Sequence, residues 1–212
     1  RLLMSKHYFK HVPDIRYKNP LKDSPNNDNY VIIKNLFLRA KLRDDVFTSV
    51  TFLNSYTIQE GMRPDNVAED LYGNSQLDWI VLTVANIVNV RDEWPMSSDV
   101  LYQYCEDKYG LAINDTRHHE TEEVRNAEGK LILPAGQIVD KDYTIPNPLV
   151  FNTTINPVVP VSNFLIETRE NEKKRNIKVL RREFLTQYIL DMKGELEYTK
   201  SSQFVNKKLK NT

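Results

Sequence analysis

The sequence predicts an α+β chain, and three observations carry that prediction. From Val50 to Gln59, residues alternate in the period of two that a half-buried strand requires. Between Pro64 and Ala85 two stripes at helical spacing follow one another, separated by Gly73. From Ile177 to Met192 the apolar residues 177, 180, 184, 185, 188, 189 and 192 keep to one helical face.

In chain order, residues 1–45 read as an N-terminal arm. Tyr8-Phe9-Lys10-His11-Val12-Pro13 leads to Ile15 and Tyr17, then to the loop composition Asp23-Ser24-Pro25-Asn26-Asn27-Asp28-Asn29. Tyr8, Phe9 and Tyr17 must find cover, either on the chain's own core or on a partner. Removing residues 1–30 is expected to leave the central core folded. Within 31–47, Ile33, Leu36, Phe37 and Ala40 have the spacing of a short helix.

Residues 46–110 read as the core. After the strand, Pro64 suits the first helical turn, where its missing N–H costs nothing; Asp65 favours the positive helix end; Gly73 stops the helix. Ser75 to Asp78 opens a second helix whose apolar residues Leu77, Trp79, Ile80, Val81, Leu82 and Val84 spread over most of its faces, so it is expected to be buried. Trp94-Pro95 precedes a third helix, capped by Ser97 or Ser98, carrying Leu101 and Cys105 and ending at Gly110.

Residues 111–168 read as hairpin and proline-rich extended chain. Val124 and Leu131-Ile-Leu133 flank the turn Asn126 to Gly129, and Gln137 to Val139 follow a second turn. Pro146, Pro148, Pro157 and Pro160 exclude central strands and favour extended chain over a surface, with one short strand at Phe164 to Ile166. Residues 169–212 read as one amphipathic helix, about Glu170 to Lys193, and a basic tail. Its start is strongly basic: Arg169, Lys173, Lys174, Arg175, Lys178, Arg181 and Arg182 stand against Glu170 and Glu172.

Composition removes several classes. The 212 residues balance 29 Lys+Arg against 29 Asp+Glu, which gives no global field for nucleic acid or an anionic membrane. No apolar run reaches the length of a membrane span, and Arg1 to Phe9 holds no continuous apolar stretch of a signal peptide, so synthesis in the cytosol is expected. One cysteine cannot form an internal disulfide.

The sequence offers little chemistry. Six glycines form no phosphate-cradling motif. His118-His119 with Glu120, Glu122 and Glu123 is the one His/carboxylate cluster, but adjacent side chains diverge on a strand or helix and no HExxH or CxxC accompanies them. Cys105 lies on an apolar helix face and reads as a small hydrophobe. No catalytic residue, cofactor or metal site is expected, and the basic stretch at 169–182 suits a solvated helix face, or one meeting an acidic protein, better than nucleic acid.

One stretch carries a resemblance. Tyr56-Thr-Ile-Gln-Glu-Gly61, Arg63-Pro64-Asp65-Asn66-Val67-Ala68-Glu69-Asp70-Leu71-Tyr72-Gly73-Asn74 and Gln76-Leu77-Asp78-Trp79-Ile80-Val81-Leu82 resemble the baseplate wedge protein 53 family of T-even-like contractile-tailed phages. The aromatic and proline arm Tyr8 to Pro13, the start Trp94-Pro95-Met96-Ser97 and the run Asn171-Glu-Lys-Lys-Arg175 are similar too. The same central segment is similar to a LysM module in its strand-helix-helix-strand order and its Tyr-x-Ile-x-x-Gly opening. It departs from that module at Met62-Arg63-Pro64, where Asp-Thr-Leu is usual and the sugar-contacting loop begins.

The resemblance implies a LysM-like core with flanking arms and a non-enzymatic subunit of the virion, made in the host bacterial cytoplasm. It would clamp neighbouring wedge proteins, the sheath-initiating subunit and the inner-ring core proteins among them, in multiple copies around a sixfold ring, without nucleic acid or membrane. The expected contact residues are Tyr8, Phe9 and Pro13 in the arm, Arg63, Asp65 and Trp94 at the core edge, and Arg175, Lys178 and Arg182 facing an acidic neighbour. The alternative is a peptidoglycan-binding module.

Overall fold

A computed structural model describes residues 7–18, 30–41 and 51–211. The chain forms two units, residues 1–94 with 176–212, and residues 95–175. It enters the first through strands β1 (Asp14–Lys18), β2 (Tyr30–Lys34) and β3 (Leu53–Thr57), then helices α1 (Pro64–Tyr72), α2 (Asp78–Val84) and the single turn α3 (Val90–Glu93). The second unit holds α4 (Ser98–Tyr109), β4 (Thr116–Thr121), β5 (Val124–Arg125), β6 (Leu131–Leu133), β7 (Ile138–Val139), β8 (Ile145–Pro146), β9 (Thr154–Ile155), β10 (Val158–Ser162) and α5 (Asn163–Lys174). The chain then returns to the first with β11 (Asn176–Leu180), α6 (Leu185–Glu195), β12 (Phe204–Asn206) and β13 (Leu209–Asn211).

The first unit is built on the antiparallel pair β3 and β11, in register from Leu53 opposite Leu180 to Thr57 opposite Asn176. Helices α1 and α2 and the later α6 cover it. Pro64 opens α1 and Gly73 closes it in the left-handed region, φ 67°, with its N–H on the Glu69 carbonyl at 2.8 Å. A side chain is strained at that dihedral, and glycine is not. Helix α2 buries Trp79, Ile80, Val81, Thr83 and Val84, as its all-round apolar pattern predicts, and stops at Asn86, φ 59°. The core gathers Val67, Ala68, Ile80, Val81 and Val84 from α1 and α2, Leu53, Val179 and Leu180 from the strands, and Ile189 and Met192 from α6. Tyr72 spans it: its hydroxyl donates to the Leu180 carbonyl at 3.1 Å, which ties α1 to the end of β11.

The strand-helix-helix-strand order is thus present, but its closing strand is not within residues 46–110. It comes from residues 176–180, after the whole second unit in chain order. The third expected helix, α4, accordingly belongs to the second unit.

The expected single helix from Glu170 to Lys193 is instead a helix end, a strand and a second helix. The stripe of residues 177, 180, 184 and 185 is an accident of two elements in series. Ile177 and Val179 are β-branched and sit in β11 with their side chains buried, where pairing to β3 outweighs helical spacing. The helix expected within 31–47 is likewise a strand at Tyr30-Val31-Ile32-Ile33, all strong β-formers; residues 42–50, with the start of the expected core and strand, lie outside the described residues.

The termini meet in a four-stranded sheet of order β12-β13-β1-β2, in which β1 runs antiparallel to β2 and parallel to β13. The predicted N-terminal arm and basic tail therefore contribute strands to the same sheet. Strands of three residues leave no periodicity to detect.

In the second unit, β4 lies between β10 and β7, and Pro160 sits on the edge strand β10, where a missing N–H is tolerated. The expected strand at Phe164 to Ile166 is instead the first turn of α5, because the Ser162 hydroxyl accepts the Leu165 N–H at 3.2 Å and starts the helix there. Leu101, Cys105 and Ile113 form the core, with Met96, Tyr109 and Phe164 around them. Asn171 is buried, and its amide donates to the Met96 carbonyl at 2.9 Å and accepts the Met96 N–H at 2.7 Å.

The arm is not separable from the first core. The Tyr8 ring packs on Trp79 at 5.7 Å, the His11 ring lies 5.8 Å from the same indole, and Val12 and Ile15 are buried. Removing residues 1–30, expected to leave the central core folded, would take these contacts away from it. Tyr8→Ala is expected to destabilise the first unit by about 1–2 kcal/mol, less than a fully buried aromatic because Tyr8 is half-buried. Thermal unfolding followed by Trp79 fluorescence checks it; an unchanged midpoint would detach the arm from the core.

Candidate interaction surfaces

The His/carboxylate cluster resolves into a structural ion-pair site in the second unit. On β4, His118 and Glu120 share a face, and the His118 ring Nε2 lies 2.8 Å from Glu120 Oε1. Arg169 of α5 places Nη1 at 2.8 and 2.7 Å from the two carboxylate oxygens. The Arg169 hydrogen bond, then that of His118, holds the Glu120 carboxyl below the ordinary glutamate range. His119, the next residue on the strand, turns to the other face. Among the described residues no group of three or more His, Cys, Asp or Glu is placed to hold a metal ion.

A second pair joins α4 to α5. Burial pushes the Glu167 carboxyl up, but the Lys108 ammonium at 2.8 Å and the Tyr109 hydroxyl at 2.6 Å outweigh it and leave it below its ordinary value. Cys105 is fully buried, and burial raises its thiol pKa away from the reactive thiolate.

The expected contact residues divide by exposure. Phe9 is 55% exposed, whereas Tyr8 lies half-buried against Trp79 and Pro13 is buried. Arg63 is exposed and pairs with the half-buried Asp65 at 3.3 Å, a contact of little energetic worth in water. Trp94 is buried in the first core, and its indole N–H donates to the Met62 carbonyl at 2.8 Å, so it holds the Gly61 to Pro64 loop from within. The basic stretch is not one face. Arg169 meets Glu120, Lys173 meets Glu170 at 2.6 Å and Arg175 meets Glu172 at 2.7 Å in the second unit; Lys178 lies on β11 opposite Ser55, and Arg182 is exposed in the turn before α6.

The largest exposed apolar groups lie elsewhere. Ile32 is 62% and Phe37 91% exposed in the run that leaves β2. In the second unit the hairpin β8–β9 presents Leu149, Val150 and Phe151 at its tip, Phe151 92% exposed. That tip is a built turn: Asn147 accepts the Leu149 N–H at 2.9 Å, its own N–H donates to the Thr153 carbonyl at 2.8 Å, and Asn152 adopts φ 56°. The apolar trio among asparagines and prolines was the available signal. In the first unit a groove of about 340 Å³ is lined by Phe52, Phe184, Tyr188 and Met192, with Asp191 and Glu195 among its polar lining residues.

The depressed carboxyls of Glu120 and Glu167 fix a pH response. A carboxyl held lower in the folded than in the unfolded chain contributes its full stability above the unfolded value, near 4.5, and loses it as pH falls through the folded value. Acid is therefore expected to destabilise the second unit below about pH 4.5. Glu120→Gln should cost about 2 kcal/mol at pH 7 and flatten that acid limb. Denaturant titrations from pH 7 to pH 3 check both; an identical limb in the variant would remove Glu120 from the account.

No helix of the described chain is long and apolar enough to cross a membrane. A comparison with curated proteins finds no match. The family model described as base plate wedge protein 53 matches residues 9–193, a span that takes in the second core, the first core apart from Leu196, the ion-pair site and all nine expected contact residues except Tyr8. The chain belongs to the base plate wedge protein 53 family and is a structural protein of the phage tail baseplate.

Proposed function

We propose that the chain clamps neighbouring wedge proteins together in the baseplate, in multiple copies around its sixfold ring. The observation that supports this most is where the large apolar side chains stand. Ile32 and Phe37 in the first unit and Phe151 in the second lie outside both cores, and each offers apolar area whose burial by a partner would favour association. Phe9 adds an aromatic beside the anchored Tyr8. The exposed charges at Arg63 and Arg182, with the half-buried Asp65 and Lys178, supply the polar rim of such contacts. The expected neighbours are the sheath-initiating wedge subunit and the inner-ring wedge core proteins.

A second reading is peptidoglycan binding. The strand-helix-helix-strand order of β3, α1, α2 and β11 supports it, together with a cleft beside the Gly61 to Pro64 loop lined by Asp65, Asn66, Glu69 and Asp70. Pelleting with purified peptidoglycan distinguishes it: retention that is lost on changing residues 61–64 favours this reading.

Quantitative mass spectrometry of purified tails, with cross-linking, tests the first reading. The chain is expected in a constant ratio to other wedge proteins compatible with sixfold symmetry, with cross-links from Lys10 and Lys178 into them. Absence from tails, or an irregular substoichiometric amount, overturns the clamp.

A further inference from the structure

We infer that the outer edge of β2 accepts an added strand from another wedge protein, an extended segment with alternating apolar residues and acidic flanks. The inference rests on the clamp reading and names one of its contacts.

Strand β2 is an edge of the four-stranded sheet, with β1 on one side and no strand on the other among the described residues. Its hydrogen-bonding phase follows from one contact. The Asn35 N–H donates to the Pro13 carbonyl at 2.8 Å, so in the antiparallel register Ile33 opposite Ile15 and Val31 opposite Tyr17 turn their backbone groups inward. The N–H and C=O groups of Tyr30 and Ile32 then point outward, in line to pair with a further chain.

The side chains fit such a partner. Tyr30, Val31, Ile32 and Ile33 are all exposed, on both faces of the strand, and Leu36 and Phe37 continue the strip. Soluble proteins blunt an edge like this with proline, a bulge or a guarding charge. This strand has no proline or bulge, and its one lysine, Lys34, is turned back to Asp14 at 2.8 Å and the Val12 carbonyl at 3.0 Å.

Charge selects the partner. Asp14, the one acid in the described strands of this sheet, is already paired with Lys34, and Arg16 and Lys18 stand on β1 opposite Ile32 and Tyr30 of the edge strand. A second copy would bring the same excess of positive charge to the edge, whereas an acidic-flanked strand neutralises it.

The test uses the full chain free and in purified tails. Hydrogen–deuterium exchange over residues 30–36 is expected to slow roughly 100-fold in tails. Carbodiimide coupling should join Lys18 to a carboxylate of another wedge protein. Ile32→Pro removes an outward N–H alone and is expected to fold with an unchanged melting midpoint yet incorporate at least about tenfold less, whereas Ile33→Pro breaks the pairing to β1 and unfolds the sheet. Should Ile32→Pro also melt early, exchange in the unaltered chain decides. Free-chain exchange rates within tails that contain the chain overturn the added strand and leave the clamp standing; coupling of Lys18 to a second copy overturns the acidic partner. Absence of the chain from tails overturns the clamp itself.

Discussion

Everything in the first unit depends on β11 finding β3. Until residues 176–180 return, Leu53 and Ile58 have no sheet to complete, α1 has no carbonyl for Tyr72, and α6 has no surface on which to lay Ile189 and Met192. The pair joins residues as distant as Leu53 and Leu180, and at its other end the Thr57 and Asn176 side chains meet at 3.0 Å. Equilibrium stability tolerates so long an excursion, because closure entropy grows only with the logarithm of loop length, by about 0.6 kcal/mol per doubling. Folding rate tolerates it less, since the contacts that repay closure come last. A second unit with its own core, Leu101, Cys105 and Ile113, shortens the effective search by folding within the excursion.

Buried polar tips select one packing among many apolar ones. Tyr72 reaches Leu180, Trp94 reaches Met62, Tyr188 donates to Thr83 at 2.9 Å, and Thr83 donates in turn to the Trp79 carbonyl at 2.8 Å. Each is a large or buried side chain whose apolar body would fit several arrangements but whose hydrogen bond fits one. A slip of α6 by a turn would orphan the Tyr188 hydroxyl, and an unsatisfied buried group costs about 1–3 kcal/mol. Asn171 does the same for the second unit by imitating a backbone partner for Met96.

What was legible in the sequence is what local rules decide. Pro64, Asp65 and Gly73 bound α1 within a residue, and the crowded apolar faces of Leu77 to Val84 announced a helix buried all round. The hairpin at 124–133 followed from Asn126 and Gly129. What was not legible depends on partners far along the chain. Ile177 and Leu180 fit a helix stripe as well as they fit a strand, and only the vacant side of β3 decides between them. The parallel contact of β1 with β13 joins the two ends of the chain through strands too short to carry a pattern. Among the expected contact residues, the exposed Phe9, Arg63 and Arg182 were readable as surface, while Trp94 was not readable as core, because its indole N–H needed the Met62 carbonyl to be buried at all.

Cys105, the chain's one cysteine, is fully enclosed against Leu101 and Ile113. A thiol reagent reaches that sulfur only when the second unit opens, and no other sulfhydryl competes for the label. The free chain therefore carries its own single-site clock: the pace of thiol modification reads how often this one core breathes, without any introduced probe.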